Sequence, residues 1–504
     1  MRIKSASIAA TCIAAASAAM AQSADPLSAI DWLSQTPTVT IHIAPDEPPV
    51  AEGGSTPEVS VGQLDSEGRD AVGLLPSNVT GLPNSLWQES NAKNLADLLA
   101  VQSAEAFPAM QALTYTLLLA EANPPIDVPG KHTLLLKRVD KLIALGAIEQ
   151  ANALLVRANP DEPDLFARWF DVTLLIGEED RACSALEGAP HLAPSYGARV
   201  FCLARAGDWN SAAITLNSAK LLNLISEETD SLLLRFLDPE LFAEEPLLVS
   251  VSEPSPLNFR LYEAIGEAQP TASLPRAYSH SDLSETAGWK SRLEAAERLA
   301  RVGALPENRL FAIYTENRPA ASGTVWDRAN AIQRFESALA SKDQTKVEQA
   351  LPAAWNAMKS ARLEVPFARF YAEKLSKFTL KDEVATLAGK ILLLSPMYEN
   401  INPTGSDDYL SALALGNPPK QSADPQKQSV SDAFHGAGVP QALSNRLARG
   451  QLGEVILQAM TLFSQGAAGD LRALTSALAT FRAIGLEDTA RQAALQVLLL
   501  ERGY

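Results

Sequence analysis

The 504-residue sequence has few of the cysteine and histidine residues that metal sites and thiol enzymes need. It contains only three cysteines and five histidines. No two histidines stand at the spacing of a metal-binding pair such as H-E-x-x-H, and no C-x-x-C motif occurs. We therefore expect neither a metal site nor a catalytic cysteine.

Motifs for catalysis and cofactor binding are also missing. The sequence has no G-x-S-x-G nucleophile motif, and it has neither the Walker nor the Rossmann glycine pattern that holds phosphates. Acidic residues are plentiful, with 59 Asp and Glu residues, but no isolated pair stands out for acid–base work. We expect a protein that is not an enzyme and that binds no cofactor.

Two further absences bear on partners and on fold. No run beyond the N-terminus approaches the roughly 20 apolar residues of a membrane-spanning helix. The formal net charge of −17 argues against binding to nucleic acid or to anionic lipid, since both carry negative charge. Because no stretch has the pattern of a β-sheet or of βαβ units, the body of the chain should be nearly all α-helical.

Residues 1–21 have the features of a secretory signal peptide. They begin with M-R-I-K, continue with a short Ala- and Ile-rich run, and end with an A-x-A site at Ala19, Met20 and Ala21. An uncleaved membrane anchor fits less well, because the run is short and rich in Ala. We expect cleavage after Ala21, export to the bacterial periplasm, and a mature net charge of about −19.

Residues 22–86 are rich in Pro, Gly and acidic residues and cannot bury enough apolar surface to fold alone. Short apolar islands interrupt this stretch at residues 30–33, 39–43 and 72–76. The stretch is either an inert disordered tether, or its islands dock as short strands or turns on this chain or on a partner. Trp32 and Leu33 are its candidates for partner binding.

Three helix–turn–helix units follow one another between about residues 134 and 223. In each unit a Gly ends one helix, and an Ala five residues later marks where the two antiparallel helices come closest. A Leu and a second Ala follow four and seven residues after the first Ala, on the same helical face. The pairs are Gly146 and Ala151, Gly177 and Ala182, and Gly207 and Ala212, with a later echo at Gly485 and Ala490.

These units resemble the second half of the repeat motif of the tetratricopeptide-like α-solenoids. Their steps of 31 and 30 residues are shorter than that family's usual ~34. Val139, Phe170 and Val200 stand where its first helix usually carries a small residue. The resemblance implies an all-α, right-handed solenoid of helix pairs. A helical bundle without a true repeat is the alternative.

The rest of the chain divides by composition. We expect helical repeats over 87–225, an irregular helical continuation over 226–401, a Pro-containing linker over 402–438, and further helical repeats over 439–504. The middle region is irregular because Pro and Ser interrupt its helical pattern between residues 244 and 283.

The repeat resemblance also brings together the two cysteines of the mature chain. Cys183 directly follows the signature Ala182, and Cys202 lies in the first helix of the third unit. Because stacked repeats place these helices side by side, an oxidising periplasm would join the two thiols in a disulfide. Two buried free thiols are the alternative.

Aromatic residues cluster around the second and third units. They are Phe166, Trp169, Phe170, Tyr196 and Trp209. Most should pack within or between the repeats, whereas a subset could line a concave face and bind a peptide. Trp169 and Trp209 are the candidates for partner binding, since Trp is enriched at binding hot spots.

Together these features predict a non-enzymatic periplasmic scaffold or adaptor that binds a protein or peptide of a cell-envelope assembly. A solute- or glycan-binding protein is the alternative, although such clefts usually lie between α/β lobes. A third interpretation is a relative of superhelical cell-wall lytic enzymes that lacks their catalytic domain.

Overall fold

The computed structural model describes residues 69–127, 132–249, 252–400, 408–500 and 502. These residues form helices and no β-strand, which confirms the predicted all-α class for this part of the chain. None of their helices is long and apolar enough to cross a membrane. The predicted signal peptide, Trp32 and Leu33 lie outside the described residues.

Twenty-three α-helices follow one another in the described residues. They are α1 (Ser77–Thr80), α2 (Ala92–Ala100), α3 (Pro108–Leu119), α4 (Thr133–Leu145), α5 (Ile148–Arg157), α6 (Pro163–Ile176), α7 (Glu179–Gly188), α8 (Tyr196–Arg205), α9 (Trp209–Leu221), α10 (Glu227–Leu237), α11 (Pro256–Ala264), α12 (Trp289–Ala300), α13 (Glu307–Glu316), α14 (Thr324–Ser341), α15 (Gln344–Ser360), α16 (Glu364–Leu375), α17 (Asp382–Leu393), α18 (Asp408–Ala414), α19 (Pro425–Phe434), α20 (Gln441–Leu447), α21 (Leu452–Ala467), α22 (Leu471–Ala483) and α23 (Glu487–Leu499). Short 3-10 helices lie at Arg69–Ala71, Pro190–Leu192, Thr271–Ser273, Arg276–Leu283 and Tyr398–Asn400.

The three predicted helix pairs are present as α4–α5, α6–α7 and α8–α9. Each first helix is followed by its Gly in the left-handed conformation, with φ of 78°, 78° and 82°. After α4, the Ala147 N–H donates to Leu142 O at 2.8 Å and so satisfies a terminal carbonyl. Ala151, Ala182 and Ala212 are fully buried in second helices that pack on their first helices. A larger side chain there would push the paired backbones apart.

The last part of the predicted tether, residues 69–86, packs against the helical body. Leu74 and Leu75 each donate a backbone N–H to Leu119 O, at 2.8 and 2.9 Å. Leu86 is fully buried. The third apolar island therefore docks on this chain, which is one of the two outcomes that its sequence left open. The first two islands lie outside the described residues.

A fully buried arginine on α4 holds this docked stretch. Arg138 Nε donates to Leu118 O at 2.8 Å. Its Nη atoms donate to Val72 O and Ala120 O, at 2.7 and 2.9 Å. Burial lowers the pKa of Arg138 to about 10, and the nearby Asp70 carboxylate opposes that shift. The guanidinium thus ties two backbone segments to α4, the end of α3 and the stretch around Val72, since its donors replace water at otherwise unpaired carbonyls.

The C-terminal helices pack against the N-terminal ones. α21 contacts α2, and α23 contacts α3. Gln496 of α23 accepts the Ala109 N–H at 2.8 Å. The Phe107 and Phe463 rings meet edge to face, with centroids 5.8 Å apart. The predicted C-terminal repeat region therefore shares one apolar core with the start of the described chain.

The structure differs from the expectation of a linker over residues 402–438. α18 and α19 lie within that range, and Val430 of α19 is fully buried. The Asp424 side chain caps α19 by accepting the Gln426 N–H at 2.8 Å. Pro425 is the first residue of the helix, where a missing N–H costs nothing. Proline content here marks the start of a helix and does not prevent one.

Candidate interaction surface

The repeat region continues beyond its third helix pair. α10 packs on α8 and on α9 in the same way that α6 packs on α4 and on α5. α10 therefore takes the place of the first helix of a fourth unit. We call α4–α5, α6–α7 and α8–α9 the first, second and third units, and we call the unit that begins with α10 the fourth.

Consecutive units are joined by different contacts. Between the first and second units, Trp169 Nε1 donates to Asn152 Oδ1 at 3.0 Å. Between the third and fourth units, Lys220 Nζ lies 2.6 Å from Asp230 Oδ2. Both contacts run from the second helix of one unit to the first helix of the next. That shared geometry supports the placement of α10 as the start of a fourth unit.

A disulfide joins the second and third units. Cys183 of α7 is bonded to Cys202 of α8, with their Cα atoms 5.0 Å apart. The predicted pairing is therefore present. Both residues are buried, so the bond ties together two packed helices and not two loops.

The first helices α4 and α6 are covered by the chain's own residues. α11 packs on α6 and α10, and the 3-10 helix Arg276–Leu283 packs on α4 and α6. His280 Nε2 lies 2.6 Å from Gly146 O, and Arg260 Nε donates to Leu174 O. These donors meet carbonyls at the C-terminal ends of α4 and α6, and the Leu174 carbonyl also accepts the Gly177 N–H at 3.3 Å. This side of the repeats is thus filled and is not open to a peptide.

One carboxylate on α6 lies near the covering segment. Burial raises the pKa of Asp171 to about 6, and the Arg168 charge opposes that shift. Burial together with the Asp171 charge raises the pKa of Tyr278 to about 12. Tyr278 also donates to Pro254 O at 2.5 Å. The segment therefore packs against α6 at the cost of enclosing an ionisable group.

Exposed large apolar side chains are concentrated between residues 196 and 249. They are Tyr196, Trp209, Ile214, Leu221, Leu222, Leu224, Leu241, Leu247 and Val249, and we call them the apolar surface. Elsewhere in the described chain such residues stand far apart in sequence, at Val79, Val101, Ile126, Val156 and Leu415. Single exposed apolar residues need no explanation, whereas a contiguous patch of them marks a site of interaction. Ile214, Leu221 and Leu222 lie on or next to one helix.

The outer side of α9 carries much of this surface. α9 has one charged residue, Lys220, whereas α7 has three acidic residues and an arginine. Ile214 is 68% exposed, and the matching positions of α5 and α7 carry the small residues Ala153 and Ser184. A solvated outer helix normally presents charged and polar residues. The composition of α9 therefore fits contact with another molecule better than contact with water.

The structure separates the two tryptophans that the sequence proposed for partner binding. Trp209 begins α9, is 51% exposed, and belongs to the apolar surface. Trp169 is buried, and its ring reaches a shallow groove that Val156 and Pro160 also line. Ile214 was missed from the sequence, although the lack of charge on α9 was a usable signal.

The remaining signature residues have structural places. Gly485 takes a left-handed φ of 87° between α22 and α23, and Ala490 is fully buried. Within the described residues, no group of three or more His, Cys, Asp and Glu residues is placed to hold a metal ion. The buried Glu297 accepts from Tyr314 Oη at 2.6 Å and from Arg328, as structural carboxylates do.

No protein-family model, no curated protein and no solved structure matches this chain. The membership of the repeats in a named family therefore stays a prediction. The fold and the candidate surface stand on the geometry of this chain alone.

Proposed function

We propose that this chain is a non-enzymatic periplasmic scaffold or adaptor, built as a TPR-like right-handed solenoid, that binds a protein or peptide of a cell-envelope assembly. The signal-peptide pattern at residues 1–21 supports export. The disulfide between Cys183 and Cys202 is in keeping with an oxidising compartment. The acidic composition suits a protein partner better than nucleic acid or anionic lipid.

The observation that carries this proposal is the apolar surface. Burying one exposed Ile or Leu side chain stabilises a complex by about 1.5–3 kcal/mol. Association costs at least ~4 kcal/mol in lost rigid-body freedom, so several such anchors are needed together. Ile214, Leu221 and Leu222 are 68%, 84% and 65% exposed and lie on or next to one helix. They are the anchors that we expect a partner to bury.

The filled side of the repeats directs the partner to the other side. α11 and the 3-10 helix Arg276–Leu283 cover α4 and α6, and Phe259 of α11 is fully buried. A partner therefore binds on the side of the second helices, which includes Trp209 and excludes the surface covered by α11.

An affinity capture from envelope extract tests the proposal. The bait is the tagged chain that begins at Gln22, compared with the variant Ile214→Glu/Leu221→Glu. We expect the first to retain a stoichiometric envelope protein and the variant to lose it. The matched control is Val101→Glu/Leu415→Glu, which places the same charges at residues that are 66% and 65% exposed elsewhere. Equal retention by both variants would contradict the proposed surface.

A shortened bait that begins at Arg69 separates the tether from the surface. Truncation at residue 87 would remove Asp70 and Val72, which contact α4, and would damage the fold. Retention by the shortened bait places binding on the apolar surface. Loss of the partner from it places binding in the first two apolar islands, and loss from every bait contradicts the scaffold function.

A further inference from the structure

The sequence keeps the repeat register for a fourth second helix. Gly146, Gly177 and Gly207 are 31 and 30 residues apart, and a further step of 31 residues leads to Asp238. Ala243 lies five residues after Asp238, as the signature Ala lies five after each Gly. Leu247 follows four residues later, at the position that Leu155, Leu186 and Leu216 hold in the other units. Ser250, which is also small, stands at the position of the second Ala.

That second helix does not form. Residues 239–249 contain no helix, and Leu247 is 77% exposed where its counterpart Leu155 is fully buried. Pro239 disfavours a helix-ending turn at Asp238, because the residue before a proline is pushed to extended backbone. Asp238 accordingly has φ −138° and not a left-handed value. Pro246 falls inside the would-be helix, where it removes a hydrogen bond and clashes with the preceding turn.

The segment is instead held along α10 and α11. Arg235 of α10 donates to Pro246 O at 2.9 Å. Glu267, just beyond α11, accepts the Leu248 N–H at 2.9 Å. Tyr262 of α11 donates to Val249 O at 3.2 Å. These bonds hold residues 246–249 against α10 and α11, while residues 239–244 form turns, so the segment does not form a second helix.

The face of α10 that would receive this helix remains partly open. Because Asp238 corresponds to Gly146, the residues seven, four and one positions before each also correspond. Ser231, Leu234 and Leu237 of α10 therefore match Val139, Leu142 and Leu145 of α4. The three residues of α4 are buried, and the matching residues of α8 are buried at Val200, partly exposed at Leu203 and exposed at Ala206. The three residues of α10 are all partly exposed. The fourth unit thus presents half of a helix-pair interface whose other half is missing.

We propose that a partner protein supplies this missing half as a cationic amphipathic helix that docks on α10 beside α9. This inference rests on the proposed function and specifies the chemistry of the partner. The interface continues the established packing of α5 on α4, α7 on α6 and α9 on α8. The docked helix carries the repeat's own pattern: a small residue, a large apolar residue four positions later, and a small residue three positions after that.

The charge around the open face selects a basic helix. Glu227, Asp238, Glu240 and Glu244 are exposed there. The nearby cations are already paired: Lys220 with Asp230, and Arg235 with Glu245 and Glu267. A helix with Lys or Arg beside its apolar stripe would balance these acids, as complementary surfaces do. Its binding should weaken as salt is added.

Synthetic peptides test the inference with the chain that begins at Gln22. The probe is a fluorescent peptide of residues 147–160 that carries Glu149→Lys, Gln150→Lys and Asn152→Lys, so that it keeps the register of α5 and becomes basic. The control peptide has the same composition with Ala151 and Leu155 moved off the register. Fluorescence anisotropy should show at least tenfold tighter binding of the probe. Equal binding of the two peptides, or no binding of either, would overturn the inference.

Three variants of the chain locate the site. Ser231→Arg places bulk and like charge on the open face and should weaken probe binding at least tenfold, whereas Ser231→Ala should change it less than twofold. Asp238→Gly/Pro239→Ala/Pro246→Ala restores the register signals, so the chain's own segment should become helical and exclude the probe. Unchanged probe binding by Ser231→Arg would overturn the inference. So would unchanged binding by a triple variant whose circular dichroism shows added helix.

Other outcomes are also decisive. Concentration-dependent dimers of the chain that Ser231→Arg abolishes would identify a second copy as the occupant and overturn the proposed partner helix. The chain could capture an envelope protein through Ile214 and Leu221 and yet not bind the probe peptide. The proposed function would then hold, and this inference would fail.

Discussion

The second and fourth units share a register but reach different structures. In the second unit Gly177 takes a left-handed turn, α7 forms, and Leu186 is 6% exposed. In the fourth unit Asp238 stands at the place of that Gly, and Leu247, at the place of Leu186, is 77% exposed. The comparison shows that apolar spacing specifies where a helix pair can form. The turn residue and the absence of an interior proline decide whether it does.

The two units also differ in how they are fastened to their neighbours. A covalent bond ties the second unit to the third, between Cys183 and Cys202. The third is joined to the fourth by the ion pair of Lys220 and Asp230, in which the Lys220 side chain is 57% exposed. Exposed ion pairs contribute little stability. The stacked rings of Phe201 and Phe236, with centroids 5.6 Å apart, also join the third and fourth units. The described contacts between these two units include no covalent bond.

The largest expected effect comes from one substitution made at matched register positions. Leu155→Ala removes a fully buried side chain and should lower the free energy of unfolding by about 3 kcal/mol. Leu247→Ala should lower it by less than ~0.5 kcal/mol, because exposed positions are tolerant. Urea unfolding followed by circular dichroism measures both. Similar losses from the two substitutions would mean that Leu247 is packed in a completed unit.

Removal of the disulfide should have the next largest effect. Cys183→Ala/Cys202→Ala opens a loop with a sequence separation of 19 and should cost about 3 kcal/mol of stability. The matched change at the preceding junction is Asn152→Ala, which removes the partner of Trp169 and should cost about 1 kcal/mol. Thermal melts of the three proteins rank the junctions. The ranking is contradicted if the cysteine variant has the same melting temperature as the parent chain.

A charge change on α6 probes the filled side of the repeats. The folded-state pKa of Asp171, about 6, lies above its usual 3.8 because burial disfavours the carboxylate. A raised folded pKa means that stability from this group is complete below about pH 4 and is lost as pH rises through 6. Asp171→Asn removes that loss and should stabilise the chain by about 2 kcal/mol at pH 7.

Melting temperatures between pH 4 and pH 8 check this expectation. The advantage of Asp171→Asn over the parent chain should be largest above pH 7 and should shrink toward pH 4, where the parent carboxyl is protonated. A gain that does not vary with pH would show that packing, and not the charge of Asp171, is responsible.

The smallest expected effect lies at the last junction. Lys220→Ala should cost only about 0.5 kcal/mol, because Lys220 is half exposed and salt screens its pairing with Asp230. The cost should fall further in 0.5 M salt. A decrease above ~2 kcal/mol in the free energy of unfolding in urea would indicate that the fourth unit is held to its neighbour as strongly as the second unit is.

The repeats could be predicted because local signals agreed with one another. Each Gly, the Ala five residues after it and the following Leu point to one antiparallel helix pair, and no long-range knowledge is needed. The disulfide followed from the same register, since stacked units bring Cys183 and Cys202 together. Local agreement of this kind is what makes a pattern readable from sequence.

Other features could not be predicted because they depend on distant partners. Arg138 is fully buried, yet nothing local shows that its donors will meet carbonyls of the chain near Val72 and at the end of α3. The docking of residues 69–86 was left open for the same reason. Pro425 suggested a linker although it begins α19, since proline suits both a loop and a helix start. The exposure of Leu247 appears only when the fourth unit is compared with the complete ones.

Hydrogen exchange on the chain that begins at Gln22 tests the central claim most directly. We predict that amides of α5 and α7 exchange slowly, while those of residues 240–245 exchange at rates close to those of an unstructured peptide. Addition of the basic register peptide should slow exchange in α10 and leave residues 240–245 fast. Slow exchange across residues 240–249 in the free chain, at the level of α7, would show a completed fourth unit and contradict the account.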